Sequence, residues 1–288
     1  MDKYLSKYEE YLKYELNYSS LTIKGYFTHI IEFNKYLNNK KISYKSLTKQ
    51  NIINYLKYLD NKKLSNRTIA NKLSALRSFF DFLLEENILN KNIFKLIRNP
   101  KLEKKIPNFL SYEEIRKIFD SIKCKTVLDY RNKLIIELLY ASGIRVSELV
   151  NLKLKDFSFD ERKILIMGKG KKERITFYGI PAAKALEDYL KVRASDNEYL
   201  LLNKYNNKIS TRAIGQIVDK ICLNAAVNNN VSPHTFRHTF ATHLLNNGAD
   251  IKSVQELLGH SSLDTTEVYT HITNDYLKSE YLRGMPRK

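Results

Sequence analysis

The apolar residues of this chain recur at helical spacing almost throughout, and the period drops to two between Lys163 and Tyr178. That feature limits the fold to a mainly α architecture with a small sheet, because side chains return to one face about every 3.6 residues on a helix and every second residue on a strand. In the first hundred residues, "YLSKYEEYLKYEL", "SSLTIKGYFTHIIEFNKYL", "LTKQNIINYLKYL" and "SNRTIANKLSALRSFFDFLLEEN" each read as a helix. Ser19–Ser20, Thr48 and Ser65 are the N-cap candidates. The apolar stripe of the fourth runs through Ile69, Leu73, Leu76, Phe80 and Leu83, with Lys72 and Arg77 to the side. A four-helix domain with basic flanks is expected over residues 1–98. Residues 99–108, "NPKLEKKIPN", set two prolines around a charged stretch with little to bury and are expected to form a linker.

A second domain is expected over 109–288. "SYEEIRKIF" carries a capping box, with Ser111 as N-cap and Glu114 three residues on. "TVLDYRNKLIIELLYASG" is apolar enough to be a central helix, and Gly143 is its expected C-cap. A short helix over "RVSELVNL" precedes "KILIMG" and "ERITFY", two β-runs joined by "KGKK", which predict a hairpin with a basic tip. Helical spacing resumes from Pro181, with one more short β-run at "YLLLN".

The formal net charge is +18, from 49 basic and 31 acidic side chains. Residues 1–100 hold 18 basic and 9 acidic groups and the rest hold 31 and 22, so both parts carry the same excess. A basic tail would concentrate charge at one end. Two folded units each facing a polyanion fit better, since neutralising phosphates releases condensed counterions. The abundance of Lys, Asn, Ile and Tyr also suits an AT-biased genome, so charge alone does not decide for nucleic acid. Cys124 and Cys222 stand far apart with no CxxC and no secretory leader, which reads as free thiols in a reducing compartment. No apolar run approaches the roughly 18–20 residues of a membrane span. A cytoplasmic protein without membrane attachment is expected.

Four separated stretches hold polar groups that helix packing does not require. In "SGIRVSEL", Arg145 follows a helix end and Glu148 lies one turn on; in "GKGKKER", Lys169 sits at the hairpin tip. "SPHTFRHTFATHLLNNG" holds His234 and Arg237, and "LLGHSSLDTTEVYTHI" holds His260 and Tyr269. His234 and His238 have the i, i+4 spacing of a zinc pair, but no HExxH is present, no cysteine is near, and Arg237 would set a positive charge beside the cation. A phosphate fits better. His234 and Arg237 project from one face at a helix start, where the N-terminal dipole attracts anions and Pro233 suits the first helical position. Arg145 and Arg237 together can grip the non-bridging oxygens of a phosphodiester as its charge grows toward a pentacoordinate phosphorus. Nearby hydroxyls and Tyr269 are candidate nucleophiles, and Lys169 or His234 can protonate a leaving alkoxide. Taken singly, each residue is equally readable as a surface charge or an ordinary tyrosine. Four sites in a fixed order are harder to explain that way.

In these stretches the chain resembles the tyrosine site-specific recombinases, most closely the bacterial and archaeal Xer type. "ASGIRVSELVNLKLKDF", "GKGKKER" and "SPHTFRHTFATHLLNNGADIKSVQELLGHSSLDTTEVYTH" carry the resemblance across most of the second domain, and "KLSALRSFFDFL" extends it to the first. It implies an N-terminal helical core-binding, SAM-like domain and a C-terminal α/β catalytic domain with a small sheet. By that resemblance Arg145 and Arg237 bind the scissile phosphate, Lys169 protonates the leaving 5′-oxygen, His234 assists proton transfer and His260 hydrogen-bonds the phosphate. Tyr269 attacks to give a 3′-phosphotyrosyl link, and Glu148 supports the pocket. No metal, ATP or other cofactor is implied, because the covalent link conserves the phosphodiester's energy.

The resemblance further implies a double-stranded DNA target, a homo- or hetero-tetramer on two sites, and a tail over about 273–288 that docks into a neighbouring subunit. A second recombinase and a DNA translocase are possible partners, and localisation is expected at the nucleoid. Resolution of chromosome dimers at a dif-like site is the favoured role, on the grounds that no arm-binding domain precedes the helical unit. Integration or excision of a mobile element is the alternative. A non-catalytic DNA-binding protein and a type IB topoisomerase are more remote. Lys72 and Arg77 are the expected DNA contacts of the first domain.

Overall fold

A computed structural model describes residues 2–102, 108–168, 173–227, 230–259 and 273–287. The chain divides into two compact units, residues 1–105 and 106–288. Part of the expected linker, residues 103–107, lies outside the described residues. Among the described residues no helix is long and apolar enough to cross a membrane.

The first unit holds helices α1 (Asp2–Glu10), α2 (Ser20–Asn39), α3 (Lys49–Asn61) and α4 (Asn66–Glu85). A π-helical turn, Tyr11–Glu15, follows α1, so the first expected helix changes pitch partway along. Ser19, Thr48 and Ser65 cap α2, α3 and α4 by accepting from the N–H groups of Thr22, Asn51 and Thr68. Each such cap contributes roughly 1 kcal/mol. Ile69, Leu73, Leu76, Phe80 and Leu83 are all buried, as their spacing predicts. Aromatic rings close the core edge to face, with Phe33 against Tyr55 and Phe80 against Phe94, each pair at 4.8 Å between centroids.

The two basic residues beside that stripe are placed otherwise than expected. Lys72 is buried, its ammonium paired with Glu32 of α2 and adjacent to His29 Nδ1. Arg77 donates to the carbonyls of Phe94 (3.2 Å) and Ile97 (2.8 Å) and to Asn99 Oδ1 (2.8 Å), fixing the segment after α4. Neither is the free basic flank the sequence suggested. Each hydrogen-bonds inside the domain; Lys72 is buried, where a cation is tolerated only when paired, and Arg77 is half-buried.

In the second unit α5 (Tyr112–Ser121) begins at the predicted capping box, Ser111 accepting from the Glu114 N–H and Glu114 from that of Ser111. Helix α6 (Val127–Ser142) is the centre: Leu134, Ile135, Ile136, Leu138, Leu139 and Tyr140 are buried around its circumference, and α8 (Ile180–Val192) and α10 (Pro233–Asn246) pack against it. It ends at Gly143, whose φ of +57° is the left-handed C-cap. A Cβ there would lie 2.4 Å from Phe240 Cδ1, so the chain turns directly over α10 and delivers Arg145 to the start of α7 (Val146–Leu149).

Strands β1 (Phe157–Ser158), β2 (Lys163–Met167) and β3 (Glu173–Phe177) form an antiparallel sheet in chain order. The hairpin β2–β3 is the predicted one; β1, two residues long, is too short to show in a periodicity. On the inner face Ile164 pairs with Thr176 and Ile166 with Arg174. The run at 199–203 makes only isolated bridges, Lys153 with Tyr199 and Leu202 with Lys208. Its leucines are buried, but Asn203 ends the run by accepting from the N–H groups of Tyr205 and Asn207 in a turn.

Helices α9 (Thr211–Asn224), α11 (Ile251–Leu258) and α12 (Asn274–Gly284) complete the unit. The tail expected to dock on a neighbouring subunit is seated on its own domain: α12 lies against α10, α11 and β3 with Leu277, Tyr281 and Met285 buried. Glu280 accepts from the Asp250 N–H at 2.6 Å, and Arg287 pairs with buried Glu137 at 2.6 Å. An amphipathic helix that finds an apolar surface within its own chain buries its stripe there.

Candidate active site

The organising feature is the C-terminal end of α11. A helix end leaves its last carbonyls without partners and carries a partial negative charge. Three consecutive carbonyls there each accept from a different arginine: Leu257 from Arg174 Nε (3.1 Å), Leu258 from Arg237 Nη2 (2.6 Å) and Gly259 from Arg145 Nη2 (3.0 Å). These arginines come from β3, α10 and the turn between α6 and α7, so one helix end gathers three parts of the chain.

Glu148 ties two of them together. Its Oε1 accepts from Arg174 Nη1 (2.8 Å) and Arg145 Nη1 (2.9 Å), and its Oε2 from Arg174 Nη2 (2.8 Å) and the Arg145 backbone N–H (2.9 Å). Burial alone would raise this carboxyl, but the hydrogen bonds from Arg174 and Arg145 outweigh it and hold it below the ordinary glutamate range. Arg237 also donates from Nη1 to the Gly143 carbonyl at 2.6 Å. Burial first, then the neighbouring Arg145 and Arg174, pushes its guanidinium down to about 10. It therefore remains charged at neutral pH. Three guanidinium groups and one carboxylate leave the cluster at +2, which favours an anion.

The arginines differ in what they can offer that anion. Arg145 and Arg237 each hold these protein partners through two nitrogens, whereas a guanidinium carries five N–H donors. The Arg145 side chain is 42% exposed. Arg174, 7% exposed, has all three of its nitrogens engaged with protein. The sequence reading missed Arg174. Its signal was an arginine in phase with Thr176 on the core side of "ERITFY", where an unpaired charge is not tolerated.

Helix α10 begins as expected, with Ser232 accepting from the Thr235 N–H and Pro233 in the first turn. His234 stands exposed at this start, one turn before Arg237. The other histidines of the segment face inward. His238 is half-buried near Phe109, and His243 is buried, stacked on Tyr112 at 4.1 Å and 3.0 Å from Tyr140 Oη through Nδ1. Among the described residues no three His, Cys, Asp or Glu side chains gather as a metal-binding set. Lys169, His260 and Tyr269 lie outside the described residues.

Three arginines collected on one helix end form a cationic centre suited to a phosphate. Residues 5–87 match the family domain described as "Phage integrase, N-terminal SAM-like domain", and residues 108–275 match the "Phage integrase family". The chain belongs to the phage integrase family of tyrosine recombinases, enzymes that cleave and rejoin DNA. It is 43% identical to the "Tyrosine recombinase XerC" of Anoxybacillus flavithermus over 98% of this chain and 97% of that protein. It is likewise 43% identical to that of Bacillus pumilus, over 96% and 94%. Among solved structures it resembles XerH site-specific recombinase bound to a palindromic difH substrate in a post-cleavage complex. That match has a TM-score of 0.73 at 26% identity, covering 96% of this chain and 82% of that one. A lambda integrase dimer bound to a COC′ core site shares the fold, with a TM-score of 0.73 at 19% identity over 93% and 99%.

Proposed function

We propose that this chain is a Xer-type site-specific recombinase that resolves chromosome dimers at a dif-like site through a 3′-phosphotyrosyl intermediate. The observation that carries the chemistry is the convergence of Arg145 and Arg237 on adjacent carbonyls at the end of α11, each keeping donors for an anion. The choice of the Xer role is supported by near-full-length identity to proteins named XerC and by the likeness to XerH on difH.

In this reading Arg145 and Arg237 neutralise the non-bridging oxygens of the scissile phosphate as negative charge builds on them. As the Tyr269 oxygen attacks phosphorus its phenolic proton passes to His234, and the displaced 5′-oxygen of the next nucleotide takes a proton from Lys169. His234 assists proton transfer and His260 donates to a phosphate oxygen. Rejoining reverses the step with a 5′-hydroxyl from the partner strand, so the bond energy is retained and neither ATP nor a metal is consumed. Cleavage occurs within a tetramer on two DNA sites at the nucleoid, with a second recombinase or a second copy as partner and a DNA translocase as activator.

The test is a duplex carrying a dif-like site and a nick beside the cleavage point, which traps the covalent intermediate. An SDS-resistant protein–DNA adduct is expected, formed equally in EDTA and lost in Tyr269→Phe. An adduct that requires a divalent metal refutes the mechanism.

A further inference from the structure

We propose that Arg174 is a positioning residue for the reaction: it holds the Glu148 carboxylate and the last turn of α11 so that Arg145 is presented to the phosphate in one orientation. This rests on the recombinase reading above. Arg174 does not meet the substrate itself. Its Nε, Nη1 and Nη2 are all bonded to protein, to the Leu257 carbonyl and the two Glu148 oxygens.

The geometry makes Glu148 a relay. Each of its oxygens is shared between Arg174 and Arg145, and the two bonds to Arg145 reach different ends of that residue, the backbone N–H and the guanidinium. A carboxylate gripped bidentately from behind cannot rotate, and so both ends of Arg145 are fixed through it. The same guanidinium reaches the carbonyl two residues before the one that accepts from Arg145 Nη2. Arg145 is therefore held by two supports that meet on Arg174. The backbone is shaped around this side chain: at Gly259, with φ of +64°, a Cβ would fall 2.7 Å from Arg174 Cδ. A lysine is a point charge and cannot span both Glu148 oxygens and the Leu257 carbonyl at once.

The experiment measures DNA binding and single-turnover adduct formation on the nicked duplex for the full chain and for Arg174→Lys and Arg174→Met. Binding is expected to be unchanged, while adduct formation slows by up to about 100-fold, the cost of a small misplacement of a reacting group. Arg174→Lys keeps a cation opposite Glu148 and folds even if Arg174→Met does not, so it carries the test. In a double variant, Arg145→Ala/Arg174→Lys is expected to be no slower than Arg145→Ala alone, because the effect of Arg174 passes through Arg145.

A pH profile supplies a readout that mere stability would not move. The cations facing Glu148 are Arg145, Arg174 and Arg237. Loss of the bidentate grip lets its carboxyl rise, so the acid limb of cleavage shifts to higher pH in Arg174→Lys. A wild-type rate in that variant, losses that multiply in the double variant, or an unmoved acid limb overturns the proposal. An unaltered chain that forms no adduct refutes the recombinase reading instead.

Discussion

Replacing Gly143 by alanine tests whether the turn after α6 sets the pocket. The backbone there has φ of +57°, and the added methyl would stand 2.4 Å from Cδ1 and 2.8 Å from Cε1 of Phe240. The left-handed conformation costs a non-glycine residue roughly 1–2 kcal/mol. Phe240 is fully buried, so its ring has no space to withdraw, and overpacking of this kind costs about 1–3 kcal/mol. The sum, about 2–5 kcal/mol, corresponds to a fall of roughly 5–20 °C in the melting temperature of a unit this size. The Gly143 carbonyl also anchors Arg237 Nη1, so cleavage should fall with the turn displaced. Gly215, inside α9 with nothing within 4 Å of its would-be Cβ, is the internal control. Alanine there should stabilise by about 0.5–1 kcal/mol. Thermal unfolding of both variants by circular dichroism reads the contrast. A Gly143→Ala chain that melts with the wild type, or two variants shifted in the same direction, would refute the reasoning.

Arg145→Ala should leave DNA affinity nearly intact and slow adduct formation about 100- to 1,000-fold, as for loss of a transition-state donor. Equal losses in binding and cleavage would mark it as a docking residue. A third expectation concerns acid. His29, His238 and His243 are all held below 6.5, first by burial, and His29 also by Lys72 and His238 by His234. Their contribution to stability is complete above pH 6.5 and is lost as pH falls from there through the lowered folded values, because the unfolded chain takes up those protons first. Glu137, raised by burial despite Arg287, acts in the opposite sense, so the comparison is between the wild type and His243→Gln. Denaturant midpoints across this range should fall less steeply with acid in the variant; equal slopes would contradict the assignment.

Helix starts were legible because a cap is a local event: Ser65 and the Thr68 N–H it satisfies lie within four residues, and the same holds for Thr48 and Ser111. Gly143 was legible for the same reason. Lys72 shows the limit. It is three residues after Ile69 and four before Leu76, which places it in phase with the buried stripe. Its tolerance there depends on Glu32, forty residues away in sequence. Arg174 is the same case, since its place on an inward strand position makes sense only once Glu148, 26 residues away, and the end of α11, 83 residues away, are known. The residue types of the candidate site were readable as chemistry. That Arg145 and Arg237 share one helix end was not, because no local spacing encodes a meeting of segments so far apart. Likewise, the resemblance implied a docking surface for the tail on a neighbouring subunit, and nothing local in the sequence said that α10, α11 and β3 hold it.

The three-arginine capping of α11 also has a consequence for biosynthesis. Its bonds join residues 83, 21 and 114 positions apart, and the last carbonyl belongs to Gly259. During translation nothing shorter than most of the polypeptide can assemble the cationic cradle. A fragment that ends before Leu257 lacks all three carbonyls that gather the arginines, so the cluster cannot form in it.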